Sequence, residues 1–350
     1  MGECVGSTRF MAAAAAHAKG GDGDGDGDGG AGSDACNSLH RRVDPPASGG
    51  VLSWIAVLIW LGAIHFNTIV GLVVLANLRR AWAIAVMGLY LLLMVLPAHH
   101  ESPLGRKVAT FICKYAPKHF PIRLHVDDIK SFDLSKAYVF AVEPHSILPI
   151  GIISLCHYTG YMPFTKIRAL ASSAVFATPI LRHIWTWLGL VPASRKTFGK
   201  LLNDGYSCIV VPGGVQECLY MEHGHEVVFL KKRFGFVRVA IETGAPLVPV
   251  FCFGQTEAYK WWKPKGELYA KLSRAIGFTP LVFWGMYGSP VPCQQEMYVA
   301  VGNPIEVTKT SQPSREEVAN VLEKFIVALQ ELFEKHKAAA GYKDTMLHVY

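Results

Sequence analysis

The sequence predicts an α/β domain whose mainly parallel sheet is flanked by helices and preceded by an N-terminal hydrophobic helical hairpin. From Ile122 onward, short β-branched and aromatic runs alternate with helical stretches, the pattern of strands covered on both faces. Upstream lies an apolar tract, uncharged within each of its limbs, whose first limb exceeds the roughly 20 residues that cross a bilayer core. Two of the buried strand-like runs end in proline-bearing turns that carry acids and a histidine, where open α/β sheets place their sites.

Composition narrows the class. The chain has 350 residues, enough for one large domain or two smaller ones. Hydrophobic residues make up 51 % and charged ones 17 %, against about 25 % charged in a typical soluble domain. Eight tryptophans and eighteen phenylalanines in a chain of net charge +7 fit prolonged contact with a lipid interface. The positive charge is spread out, without a basic stripe interleaved with aromatics, so nucleic acid is not the expected partner and an anionic membrane face or cosubstrate is. The eight cysteines show no CxxC spacing and sit mostly among apolar neighbours, which points to a reducing compartment and to neither a zinc site nor a disulfide framework. No metal site is expected.

In chain order, residues 1–50 read as a disordered low-complexity leader. An alanine run is followed by alternating glycine and aspartate, which cannot bury enough apolar surface to offset chain ordering. Residues 51–97 form the membrane hairpin: Val51 to Leu78, the bend at Arg79-Arg80, then Ala81 to Leu96, ended by Pro97. The second limb is short for a span, so a tilted or partly re-entrant hairpin is as compatible as two crossings. The remaining 98–350 form the α/β domain. Leu104, Val108, Phe111, Ile112 and Tyr115 have helical spacing, which suits either the membrane surface or packing on the domain.

Strands are expected at Tyr138–Val142, Arg168–Ala171, Ser207–Val211 and Leu247–Phe251, with a late one at Val299–Val301. Helices are expected from Ile147 or Ile150 to about His157, over Ser172–Trp187 with a break near Pro179, and at Arg195–Asn203 and Phe236–Glu242. Ser314 to Lys337 is the clearest helix, with a capping box at Ser314 and Glu317.

The chemistry concentrates in two turns. In YVFAVEPHSILPIG, Pro144 stops the strand and leaves Glu143 and His145 at its tip. In VPGGVQE, Gly213 and Gly214 permit positive φ and close backbone approach, and Glu217 follows. Arg233 and Arg238 flank a third segment and suit a phosphate-bearing cosubstrate, or equally a solvated basic face. His183 lies in an aromatic helix and reads as a core residue. GxSxG, GxGxxG, P-loop and HExxH motifs are absent from the required contexts. A histidine base without an evident protein nucleophile points to direct attack by a substrate hydroxyl on an activated acyl group.

The segments YVFAVEPHSILPIG, LRHIWTWLG, VPGGVQE, RFGFVRVAIETGAPLVPVFCFG and VGNPIEVTK, in that order, resemble the plant type-2 acyl-CoA:diacylglycerol acyltransferases. The similarity spans roughly Leu52 to Lys343 and omits the leader. It implies a glycerolipid-acyltransferase-like fold, with acyl-CoA as cosubstrate, no cofactor, and diacylglycerol as the membrane-dissolved acceptor. It also implies residence in the endoplasmic reticulum membrane with the domain facing the cytosol, and association with lipid droplets. Monoacylglycerol and wax-alcohol acyltransferases belong to the same broad family, and a non-enzymatic droplet-coating hairpin is the reading from another class. Where the animal form has His-Pro-His-Gly, Glu143 and Ser146 stand here as in the plant form, and Ile150 occupies the position of an aspartate in related phosphate-handling enzymes. The carboxylate that orients His145 is therefore either Glu143 or Glu217, with Glu217 preferred. Backbone amides at Gly213–Gly214 or after Ser146 are the expected oxyanion donors, Arg233 and Arg238 the expected mouth for CoA, and homo-oligomer formation is left open.

Overall fold

A computed structural model describes residues 39–42, 50–276 and 279–350. The leader expectation therefore falls outside the described residues, except that Leu39–Arg42 (β1) pairs as an antiparallel edge strand on Ile122–Val126 (β2). The further strands are Val139–Glu143 (β3), Ile167–Ala171 (β4), Leu190–Pro192 (β5), Ser207–Val210 (β6), Glu226–Val228 (β7), Leu247–Phe253 (β8), Lys260–Trp262 (β9), Val282–Trp284 (β10), Met297–Val301 (β11) and Leu347–Val349 (β12). The main sheet runs β1-β2-β11-β8-β3-β6-β4-β5. It is parallel except where β1 meets β2 and β11 meets β8.

β3 lies at the centre, hydrogen-bonded to β8 on one side and β6 on the other. Strand alternation divides its side chains between two cores. Phe140 and Val142 join the core beneath the hairpin, whereas Val139 and Ala141 join the core under the C-terminal helices. Both faces are thus buried, which is why this run reads as continuously apolar until Glu143.

The hairpin limbs are α1 (Val51–Ala76, with a π-helical stretch at Leu58–Gly62) and α2 (Ala81–Val95). Ala56, Val57, Trp60 and Leu61 are buried in the first core. Beyond His65 the limb becomes bare, with Phe66, Ile69, Leu72 and Leu75 exposed. Arg182 donates to the carbonyls of Leu93 and Met94, tying the end of α2 back to the domain. The next helix, α3 (Pro103–His119), is capped by Ser102, whose Oγ accepts from Gly105 N at 3.3 Å. It packs on the rest of the chain through the fully buried Ala109, Ile112 and Ala116, while Leu104 stays exposed.

The expected helix after His145 is instead 3₁₀, at Ile150–Leu155 and His157–Thr159. Gly151 and the β-branched Ile150, Ile152 and Ile153 weaken a regular α-helix there. The other helices are α4 (Ser173–Phe176), α5 (Leu181–Trp187), α6 (Arg195–Asn203), α7 (Gly214–Tyr220), α8 (Phe234–Thr243), α9 (Glu267–Ile276) and α10 (Arg315–Lys337). Ser314 Oγ accepts from Glu317 N at 3.0 Å at the start of α10, as the capping box requires. At its other end, His336 Nε2 contacts Asp127 Oδ1 at 2.8 Å and Nδ1 contacts the Tyr298 hydroxyl at 3.1 Å, pinning the helix to the sheet. The β9–α9–β10 excursion between β8 and β11 has no counterpart in the sequence reading.

Candidate active site

The site forms where β3, β6 and β8 end. β3 delivers Glu143, with no exposure to solvent, and the following turn brings His145 half-buried to the edge of a cavity. β6 runs into Pro212-Gly213-Gly214 and then α7, which places Glu217 and Cys218 behind that turn. A Cβ on Gly213 would collide with the Glu217 carboxyl, so this position requires glycine. Gly214 has φ of 55°, which glycine adopts without strain.

The two turns are joined by backbone-to-carboxyl hydrogen bonds. Gly213 N donates to Glu143 Oε1 at 3.2 Å. The backbone N–H of His145 donates to Glu217 Oε1, and Phe229 N donates to Glu217 Oε2 at 3.2 Å. Glu217 therefore holds the main chain at His145. The hydrogen bonds of Glu217 run to main-chain amides, and the imidazole is hydrogen-bonded to neither Glu217 nor Glu143.

The imidazole is held by groups that the sequence reading passed over. His145 Nδ1 lies 2.9 Å from the Ser146 carbonyl and 3.3 Å from Cys218 Sγ. Ser146 has a φ of 54°, a left-handed conformation that a non-glycine residue adopts only under local constraint. With Nδ1–H donated to the Ser146 carbonyl, Nε2 is the ring nitrogen left to act as a base. Burial lowers the affinity of the ring for a proton, but Cys218, Glu217 and the Ser146 carbonyl outweigh it and push the His145 pKa up to about 9.

Burial raises the Glu143 pKa well above the ordinary carboxyl range, and the adjacent Glu217 charge adds to the rise. Burial also raises Glu217, against the opposing pull of Glu143, His145 and its two amide donors. Two adjacent buried carboxyls resist carrying two charges, and of the pair Glu143 is pushed further toward the neutral form.

Gln255, buried just after β8, is a second residue that sequence reasoning missed. Its Nε2 donates to the Pro144 carbonyl at 2.6 Å, and its Oε1 accepts from Gly151 N at 2.7 Å. It thereby fixes both ends of the histidine-bearing loop. Its place at the carboxyl end of a central strand was the available signal. Cys218 offered none beyond adjacency to Glu217.

Of the basic residues proposed for the cosubstrate, Arg233 lines the cavity, donates to the Gly213 carbonyl and stacks over Phe229 at 5.2 Å. Arg238 does not line it. Helical phase turns Arg238 toward the loop before α10, where Nη1 donates to the Pro313 carbonyl at 3.2 Å. Gly214 borders the cavity, whereas Gly213 lies behind it with its amide already engaged by Glu143. His183 packs against Trp187 at 6.0 Å between ring centroids, away from the cavity.

The cavity measures about 1070 Å³, at the upper end of the roughly 300–1,000 Å³ common for small-molecule sites. Its walls run from His145, Arg233 and Cys218 to Trp60, Leu61 and Ile64 of the hairpin. One space therefore joins the imidazole to the apolar limb.

Residues 74–350 match the family described as Diacylglycerol acyltransferase. The Diacylglycerol O-acyltransferase 2 of Dictyostelium discoideum is 32 % identical over 290 residues, covering 75 % of this chain and 85 % of that protein. That of Xenopus tropicalis is 30 % identical over 329 residues, covering 84 % and 86 % respectively. The solved structure of a 1-acyl-sn-glycerophosphate (LPA) acyltransferase from Thermotoga maritima aligns over 78 % of this chain and 97 % of that chain, at 15 % identity and a TM-score of 0.41. That superposition is too loose to bear on the residues above.

Proposed function

Because the chain belongs to the diacylglycerol acyltransferase family, we propose that it transfers a fatty acyl group from acyl-CoA to the free hydroxyl of diacylglycerol, giving triacylglycerol and CoA. The observation that carries this reading is the single cavity shared by His145 and the hairpin, which lets a lipid alcohol meet a soluble thioester. His145 Nε2 takes the proton of the acceptor hydroxyl as its oxygen attacks the thioester carbonyl. CoA departs as a thiolate, which then takes the proton from the imidazolium. Arg233 supplies positive charge on the same wall for the developing oxyanion. Glu143, Glu217 and Gln255 act on the loop rather than on the reacting atoms. Acyl-CoA is a cosubstrate, and the reaction needs no other group. A neutral acceptor also needs no phosphate clamp, consistent with Ile150 in place of an aspartate.

The hairpin sits in lipid. Its second limb has 15 residues, about 22 Å at 1.5 Å each, against a hydrocarbon core of about 30 Å. That length supports a re-entrant hairpin over two full crossings. The glutamate and serine of the EPHS motif match the plant form, and endoplasmic reticulum residence with a cytosolic domain and droplet association is the reading carried over from the family. A non-enzymatic coat protein would leave the cavity and its held imidazole without a use.

Radiolabelled acyl transfer by purified protein, with diacylglycerol, monoacylglycerol and a long-chain alcohol in competition, tests both activity and acceptor. His145→Ala is expected to abolish turnover while still giving a cooperative thermal melt, lowered only by the loss of the ring's stabilising charge. Retained turnover in that variant refutes the assignment of the base.

A further inference from the structure

The excursion between β8 and β11 exposes an apolar surface that the catalytic site does not use. In α9, Leu268, Leu272 and Ile276 are 82 %, 52 % and 50 % exposed. Their spacing of four places them in one line along the helix. The other side of the helix faces the protein, with Ser273 buried and the Tyr269 hydroxyl donating to the Pro280 carbonyl at 2.7 Å. Beside the line, Trp262 and Val282 are directly paired across the β9–β10 ladder and are 59 % and 58 % exposed. Between residues 259 and 290 the chain carries five basic residues, Lys260, Lys263, Lys265, Lys271 and Arg274, against the single acid Glu267. Apolar residues on one face, a tryptophan at the edge and surrounding cations are the composition of an element that lies in the plane of a membrane.

Two connections fix what this surface faces. His65 Nε2 contacts the Phe283 carbonyl at 2.9 Å and the two rings lie 4.4 Å apart, joining β10 to α1. Just beyond His65, α1 exposes Phe66, Ile69, Leu72 and Leu75, with Asn67 and Val74 still buried. The excursion therefore meets the hairpin beside the stretch that exposes these apolar side chains. On its inner side, Arg274, Thr279, Leu281 and Phe283 line the cavity. Lys263 Nζ donates to the carbonyls of Cys218, Leu219 and Met221 at 2.8, 2.6 and 3.0 Å, capping the C-terminus of α7, the helix that carries Glu217.

We propose that α9, with Trp262 and Val282, is a second lipid contact, lying at the boundary of headgroups and acyl chains and seating the cavity mouth on the leaflet surface. This rests on the reading of the hairpin as membrane-embedded. The apolar line enters roughly 5–10 Å below the headgroups, while the exposed Lys265 and Lys271 stay at the anionic surface. The partner is the bilayer, not a second copy of the chain: cations around an apolar stripe complement anionic lipid and repel an identical patch. Lipid contact orients the excursion, and through Lys263 the position of α7.

The test is photo-crosslinking of the full chain reconstituted in nanodiscs of phosphatidylcholine with one-fifth phosphatidylserine, the lipid radiolabelled. A benzophenone amino acid replaces Leu272, Leu72 of the hairpin, or Glu323 on the exposed side of α10. Label is expected on the Leu272 and Leu72 variants and at background on the Glu323 variant. Label at Leu72 without label at Leu272 overturns this proposal and leaves the hairpin reading in place; label at neither overturns both. A protein–protein adduct at Leu272 assigns the surface to a second copy and overturns the proposal as well. In parallel, Leu268→Glu with Leu272→Glu is expected to lower the rate on vesicle-borne diacylglycerol about tenfold. The rate on a detergent-dispersed short-chain diacylglycerol should stay within twofold of the parent. Equal loss on both acceptors would mean that these leucines serve the fold, and would overturn the proposal.

Discussion

Replacing Glu217 by glutamine separates a carboxylate that shapes a loop from one that titrates with the base. Glu217 accepts from two backbone amides, those of His145 and Phe229, through its two oxygens. Glutamine offers one carbonyl oxygen and an NH₂ group, so one amide must face a donor. A hydrogen bond to a charged group contributes about 1.5–3 kcal/mol, and a buried donor left unpaired costs about 1–3 kcal/mol. If about 2–4 kcal/mol of that loss falls on the placement of His145 in the transition state, kcat drops roughly 30- to 1,000-fold at 1.36 kcal/mol per decade. Glu143 gives the contrast. Burial and the Glu217 charge push its carboxyl toward the neutral form, and glutamine, itself neutral, keeps an oxygen that accepts from Gly213 N. Glu143→Gln should therefore retain kcat within about threefold. Steady-state kinetics on both variants, with thermal melts alongside, read the difference. Equal losses in the two, or a wild-type kcat in Glu217→Gln, would refute the division of labour.

The remaining expectations concern the base and its supports. With a His145 pKa of about 9, kcat/KM should rise with pH and level off near that value, instead of near the usual histidine pKa of about 6.5. The linkage sign is the reverse for stability. The folded pKa is raised, so the stabilisation from the protonated ring is full below about 6.5 and lost as pH rises through about 9. A pH–rate profile set beside melts of the parent and His145→Gln checks both, and an acid limb at 6.5 would contradict the geometry. Gly213→Ala should inactivate at least as strongly as Glu217→Gln and lower the melting temperature, since its Cβ displaces a carboxyl held from two sides. Gln255→Leu leaves the Pro144 carbonyl and Gly151 amide without partners, at about 1–3 kcal/mol each, measurable by denaturant titration.

The strands were legible because both faces of the sheet are buried, so β3, β6 and β8 appear as unbroken apolar runs with turns at their ends. Glu143 stands out as a polar residue ending such a run, and His145 and Glu217 as the polar residues of the turns that follow β3 and β6. What they bond to was not. A carboxylate near a histidine suggests a side-chain pair, yet here Glu217 reaches the main chain and the ring turns to a carbonyl and a thiol. That choice depends on the left-handed Ser146, and nothing in the residue type announces it. The excursion escaped notice because its two strands have three residues each and its helix ten, all below the length at which periodicity speaks clearly. Arg238 shows the opposite error. Both arginines flank one basic segment, yet Arg233 lines the cavity and Arg238 donates to the Pro313 carbonyl.

The hairpin is more than an anchor, and Ile64 can show it. An anchor contributes only local concentration, so any apolar residue facing the site would serve. Here Trp60, Leu61 and Ile64 are part of the cavity wall. Trp60 and Leu61 are buried at 5 % and 1 % exposure, and truncating either would cost about 2–5 kcal/mol in packing, which would confound a reading of selectivity. Ile64 is only half-buried, so its truncation spares most of that cost. A change of one or a few methylenes in an apolar pocket moves discrimination by about 1–3 kcal/mol. Ile64→Ala should therefore favour longer or bulkier acyl chains by at least tenfold over the parent in a mixed acyl-CoA competition. Ile64→Phe should move the preference the other way, with both variants still fully membrane-bound in sedimentation. If the limb acts only as a tether, both variants will keep the parent's product distribution.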